Sequence, residues 1–334
     1  MRGQHSLTQR TAPPACAWRS AMAVLLTCVG TCLASAAFAL EPPDYALKPR
    51  SLAQGVYVIE GEVADFSRAN GCNIINTGWI ETPAGTWVVN TGPSLLYGQQ
   101  QKRLLAQRPQ AGGVRVLNLN LHPDYFFGNQ AWSDVPTLAL QGSIEGMQRE
   151  GGAYADNLYA LCGDWMKDTA SSPAHASIEP GLHAAGRLEL LRLSGHTADD
   201  LVVIDHKTGV VFAGGLVFAE RIPTTPHADL AQWLQSLDVL EKRLSALPHV
   251  TLVPSHGPVH ADLRGIAQTR DYLRWLLDTL ERSAAAGMDM AEVLAIPLPT
   301  RFARWGAART EYARNVTHLY PQAERRHLRS PPPR

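Results

Sequence analysis

Short stretches of alternating apolar and polar residues dominate the first two-thirds of the chain. Gly55-Val-Tyr-Val-Ile59, Asn73-Ile-Ile-Asn-Thr-Gly78 and Thr86-Trp-Val-Val-Asn90 have the length and β-branched or aromatic content of strands, with a turn at Pro83-Ala-Gly85. Tyr97 to Gln107 is polar, long and rich in helix formers, which predicts a helix. Val114 to Leu121 alternates again and predicts a strand carrying His122 at its C-terminal end. Asn157 to Met166 predicts a second helix, followed by a loop at Ala170-Ser-Ser-Pro173. The second half repeats the style. Leu188 to Leu193, Asp199 to Asp205 and Val210 to Ala213 read as strands, the last two joined by a turn at His206-Lys-Thr-Gly209. Asp229 to Leu247 predicts a helix with Leu230, Trp233, Leu234, Leu237 and Leu240 on one face. His249 to Pro254 is a short buried strand leading to His256, and from Leu263 onward the pattern is mainly helical, ending in a polar Arg/Pro tail. The result is two strand-rich halves, each covered by helices.

Composition changes this picture mainly at the start of the 334 residues. Arg2, Arg10 and Arg19 precede an apolar run from Ala21 to Leu33, and Ala37-Phe-Ala39 supplies small residues where a secretory signal is cleaved, before Leu40. The run is shorter than the ~20 residues of a spanning helix, so residues 1–39 read as a signal peptide and the mature chain as periplasmic. Cys28 and Cys32 leave a lipid anchor as an alternative, although Thr27 and Thr31 stand where a smaller residue is usual. Cleavage removes three arginines and no acid, leaving 27 basic against 30 acidic residues, net −3. No basic stripe interleaved with aromatics marks a nucleic-acid binder. Cys72 and Cys162 remain in a compartment that permits disulfides, and they pair only if the fold brings them together.

Candidate chemistry sits in four short segments: Asn120-Leu-His122-Pro-Asp124-Tyr125, Gly195-His196-Thr197, Ala213-Gly214-Gly215-Leu216 and Pro254-Ser-His256-Gly257. Their order and their places at the ends of strands resemble the metallo-β-lactamase superfamily, whose first motif reads H-x-H-x-D-H. The resemblance implies an α/β fold, the αβ/βα four-layer sandwich, over residues 40–262, with a C-terminal helical extension over 263–334. It also implies a site built for hydrolysis by a metal-activated water, shared in the family between two cations ~3.5–4 Å apart. Carried over, the first metal site would be Asn120, His122 and His196. The second would be Asp124, Tyr125 and His256, with Gly215 where the bridging Asp belongs. Asn90 stands where the family has the Asp of its D-T-G turn. At Asn90, Asn120, Tyr125 and Gly215 the chain thus has an amide, an amide, a phenol and a hydrogen in place of ligating or charged groups. The remaining His122, Asp124, His196 and His256 suffice for one tetrahedral zinc if they converge, so at most one zinc is expected. Asp124 would be the family's proton acceptor. His227 follows the Gly215 segment closely enough to reach the cleft, or else it is a loop histidine before the helix at Asp229.

The resemblance narrows over the whole mature chain. Asp65-Phe-Ser-Arg-Ala-Asn-Gly71, Asn73 to Gly78, Asn157-Leu-Tyr to Gly163-Asp-Trp-Met166 and Pro223-Thr-Thr-Pro-His-Ala-Asp229 are similar to the quinoprotein relay system zinc metallohydrolases. This implies an exported partner of PQQ-dependent dehydrogenases and their cytochrome c. Two functions of different class follow: a single-metal hydrolase, or a metal-free pseudoenzyme that binds a small molecule or partner protein in the old cleft. Metal content separates them.

Overall fold

Strand side chains alternate between the two faces of a sheet, and here that alternation feeds three apolar layers. The computed structural model describes residues 43–109 and 111–329, so the signal-peptide reading of 1–39 lies outside the described residues. Seven strands pair in chain order: β1 (Arg50–Ala53), β2 (Val56–Ile59), β3 (Thr77–Thr82), β4 (Gly85–Val89), β5 (Val114–Leu117), β6 (Thr137–Ala139) and β7 (Ala176–Ser177). β1 to β4 are antiparallel and the later pairings parallel. The second sheet contains β8 (Gly181–His183), β9 (Leu188–Leu193), β10 (Asp200–Asp205), β11 (Val210–Phe212) and β12 (Thr251–Val253), antiparallel except between β11 and β12. The α-helices are α1 (Leu95–Ala106), α2 (Pro123–Phe126), α3 (Gln141–Cys162), α4 (Leu230–Leu244), α5 (Arg264–Ala285), α6 (Met290–Leu294), α7 (Thr300–Ala303) and α8 (Ala308–Arg329).

Ile80, Trp87 and Val89 of the first sheet join Leu201, Val203, Val210 and Phe212 of the second in the layer between the sheets. Their neighbours Trp79 and Val88 pack outward with Tyr97 and Leu105 of α1. Val202, Ile204 and Val211 pack outward against Trp233 and Leu237 of α4, Leu273 and Leu276 of α5, and Val316 of α8. Helix, sheet, sheet, helix is the αβ/βα order expected from the sequence. Caps fix where the covering helices start: Ser94 accepts from the Tyr97 amide and Asp229 from that of Gln232.

Three elements differ from the sequence reading. The strand expected from Asn73 begins at Thr77, because the side-chain amide of Asn76 donates to the Pro254 and Gly257 carbonyls. Those bonds tie the first sheet to the loop that carries His256. The strand expected to run to Leu121 ends at Leu117. Beyond it Asn118 bonds the Tyr125 carbonyl and Asn129, while Asn90 accepts from the Leu119 amide; local amide bonding replaces the ladder. The helix expected from Asn157 begins at Gln141. Its early glycines hid it, yet they permit close packing: a Cβ at Gly142 would lie 2.1 Å from Asp199 Oδ2 and one at Gly151 2.0 Å from Ser171 Oγ.

Two covalent or ionic ties hold the frame. Cys72 and Cys162 form a disulfide with Cα atoms 5.9 Å apart across 90 residues of sequence, joining the 65–73 loop to the end of α3. Arg187 grips Asp205 through two bonds of 2.8 and 2.7 Å and reaches the Glu81 carbonyl at 2.7 Å, so one guanidinium spans both sheets.

Replacing both cysteines by serine should cost about 2–5 kcal/mol of stability. Urea midpoints with and without reductant check this, and identical midpoints would count against a stabilising bridge. Burial raises the Asp205 pKa, but hydrogen bonds from Arg187 and Thr208 outweigh it and hold the carboxyl below its usual range. Folding therefore favours the ionised form. Its contribution is full above the unfolded pKa of ~3.9 and fades as pH falls through the lower folded value. Asp205→Asn should lower stability by about 2–4 kcal/mol at pH 7 and flatten the loss below pH ~4.

Candidate functional site

All four retained ligand-type residues come to one edge of the sandwich. Pro123 opens α2, His122 sits at its N-cap with an extended backbone, and Asp124 lies in its first turn. Asn120 accepts from the His122 amide at 2.9 Å and so shapes this corner. His196 follows β9 at Gly195, a position where a Cβ would lie 2.3 Å from the Trp233 backbone. His256 follows β12, and its Nδ1 lies 2.8 Å from the Ile74 carbonyl, which accepts if that nitrogen carries the proton. The His122 and His196 rings meet edge to face with centroids 4.7 Å apart. His256 Nε2 lies 3.4 Å from Asp124 Oδ2.

The orientation of His196 decides what the site can hold. Its Nδ1 pairs with Asp200 Oδ1 at 3.1 Å, and Asp200 is itself fixed by the Thr197 amide at 2.8 Å and hydroxyl at 3.0 Å. The ring is fully buried, and among the described residues its Nε2 has no hydrogen-bond partner. It occupies the space over Gly215: a Cβ there would lie 1.9 Å from His196 Nδ1 and 2.6 Å from the Asn120 amide nitrogen. Tyr125 is buried too, packed in the layer between the sheets.

His227 reaches the cleft. Its Nδ1 lies 3.0 Å from His122 Nε2 and its Nε2 lies 3.2 Å from Glu150 Oε2. Burial, reinforced by the neighbouring histidines, pushes the His122 pKa well down, and burial does the same for His256. Asp124 moves the other way, to about 7, because burial outweighs the Arg221 charge. These shifts leave neutral imidazoles beside a carboxyl that gives up its proton reluctantly.

In front of these groups lies a cavity of about 400 Å3, walled by Phe66, Ile74, Leu161 and Pro226 and by Glu311, Arg314 and His318 of α8. Sequence reasoning missed Glu150, Asp200, Arg221, Glu311, Arg314 and His318. Asp200, four residues after His196, had a signal in the Gly-His-Thr-Ala-Asp-Asp run. The α8 residues had none, since they lie far from the motifs in a polar helix.

The architecture is that of solved metallo-β-lactamases. DIM-1 metallo-β-lactamase exposed to ceftazidime matches with a TM-score of 0.55 at 17% identity, over 70% of this chain and 99% of that one. TMB-1 matches with a TM-score of 0.54 at 18% identity, over 69% and 97%. FIM-1 from Pseudomonas aeruginosa, in a mono-zinc form, matches at 0.52 and 19% identity, over 69% and 95%. No protein-family model matches the chain, and no curated protein matches its sequence. The chain therefore has the metallo-β-lactamase fold.

Its residues do not fit that fold's two-metal centre. Among the described residues no three His, Cys, Asp or Glu side chains form a group that could hold a metal ion. The amide of Asn120 is a poor zinc ligand. At position 215 the imidazole of His196 stands where a bridging side chain would begin. Gly215→Ala should accordingly destabilise by about 1–3 kcal/mol through overpacking. Denaturant unfolding tests this, and an unchanged midpoint would mean that His196 is free to turn aside.

Proposed function

We propose that this chain is an exported protein of the quinoprotein relay kind whose cleft binds a small molecule and does not run two-metal hydrolysis. The observation that carries the reading is the His196 imidazole over Gly215, locked by Asp200 where a bridging carboxylate would need to sit. Export is supported by the leader pattern and by the Cys72–Cys162 disulfide, a bond of oxidising compartments. Among the described residues no helix is long and apolar enough to cross a membrane. The link to PQQ-dependent dehydrogenases and cytochrome c rests on the sequence resemblance.

One contact favours a second reading. His256 and Asp124 face each other at 3.4 Å, and His122 lines the same cavity. As they stand these three do not form a metal-holding group, so they would have to draw together to hold a single zinc, which when bound would supply a Lewis acid and an activated water.

Elemental analysis of the purified chain after zinc loading decides between them. We expect fewer than one tightly held zinc per chain. One zinc, abolished by His122→Ala or His256→Ala, would move the single-metal hydrolase to first place, and two would refute both readings. Export predicts that protein from a periplasmic fraction begins at Leu40 or within two residues of it. Exported protein that retains Met1 would refute cleavage.

A further inference from the structure

Residues 293–310 contain no acid. Val293 to Pro299 are all apolar, and Arg301, Arg304 and Arg309 follow them. The bias extends to the whole helical extension: residues 263–334 carry 12 arginines against 7 acids, whereas residues 40–262 carry 15 basic side chains against 23 acids. The apolar run lies at the surface. Leu294 is 39% exposed, Ala295 and Pro297 are exposed, and Ile296, Leu298 and Trp305 rest on the core with part of their area outside. Consecutive apolar residues kept outside a core mark a contact surface more often than an accident of packing.

The segment is held in place by its neighbours. Asp289 and Glu292 close a capping box at the start of α6, and the Tyr312 hydroxyl donates to the Val293 carbonyl at 2.8 Å. Phe302 of α7 is buried against the rings of Tyr272, Trp275 and Trp305, and the Gly306 amide donates to the Glu220 carbonyl at 2.8 Å. Arg301 is committed to Asp271 through bonds of 2.7 and 3.2 Å. Arg304 and Arg309 are exposed, and among the described residues their guanidiniums make no ion pair. Grooves flank α7 on both sides. Beside Arg304, Glu220 is the one carboxylate among the described residues of the wall. The other groove, of about 530 Å3, is walled by Leu294, Ile296, Leu298 and Ala303 with Arg309, and its described residues include no carboxylate.

We propose that this face seats the protein on an anionic lipid surface. Arg304 and Arg309 would meet phosphate groups, Leu294 and Pro297 would enter the acyl boundary, and Trp305 would lie at headgroup depth. The groove beside Arg309 has the chemistry for an acyl chain below a charged headgroup. Pro297 and Pro299 in its wall lack N–H groups, so a peptide backbone would find few partners there. The acidic body at residues 40–262 would be repelled from the same surface, which fixes a single orientation. Among the described residues no helix is long and apolar enough to cross a membrane, so the attachment is peripheral. The inference is independent of what the cleft binds.

The test is sedimentation of the purified periplasmic protein with two kinds of vesicle, phosphatidylcholine alone and phosphatidylcholine with about 30% phosphatidylglycerol. It should pellet with the anionic vesicles at low salt, and salt of about 0.5 M should weaken binding tenfold or more. Arg304→Gln and Arg309→Gln should each cost about fivefold in partitioning, and together about 25-fold. Leu294→Ser should weaken binding at low and high salt alike. All three side chains are exposed, so circular dichroism should show the variants folded as the parent. No pelleting with anionic vesicles, equal binding to both kinds, or an unchanged double variant would overturn the proposal. Salt-sensitive binding to polyglutamate without binding to vesicles would overturn it in favour of an acidic protein partner.

Discussion

The imidazole of His196 over Gly215 is the constraint on which the rest of the site depends. By the sequence resemblance, position 215 is where the two-metal family carries its bridging carboxylate. Here the position has no side chain, and the space is filled by a buried ring whose Nδ1 is tied to Asp200. Asp200 is in turn held by the amide and hydroxyl of Thr197, so turning the ring breaks a connected network, not one bond. The edge-to-face contact with His122 passes the arrangement on to the rest of the cleft.

The far wall is built from the other end of the chain. Arg221 and Glu311 form a nearly water-free ion pair, which folding tolerates only because backbone carbonyls take the remaining guanidinium donors. That pair, with Arg314 and Asp65, fastens α8 across the cavity. Once α8 is fastened, Glu311, Arg314 and His318 become part of the cleft. The helical extension shares the apolar layer of the second sheet through Tyr312, Val316 and Tyr320, so cleft and core stand or fall together.

How much of this was legible depended on the range of the interaction. Alternation placed most strands because the two faces of each strand meet different layers, as Val88 and Val89 do. The order of the four segments located the site, since each follows a strand or the loop beyond one. The rotation of His196 was not legible, because an Asp at the start of β10 looks like any strand-initiating acid until its partner is known. His227 was readable only as a choice between loop and cleft, and its bonds to His122 and Glu150 depend on α3 lying opposite. The first half of α3 was obscured by glycines whose value is close approach, a tertiary property that local propensity cannot register.

The substituted positions are not idle. Asn90 still accepts from the Leu119 amide, work that needs an oxygen but no charge. Asn120 accepts from the His122 amide, and Tyr125 has joined the packing between the sheets. Asn90 and Asn120 thus act as hydrogen-bond acceptors, a role that needs an amide oxygen and no charge. Each of these side chains is part of the surrounding packing, so placing a metal ligand there means removing something that supports the fold. A histidine at 125 would give up part of a buried aromatic ring, and an aspartate at 215 would displace His196 from Asp200. A two-metal ligand set at these positions would therefore conflict with the packing as well as with the hydrogen bonds now made there, and introducing it would require several coupled changes.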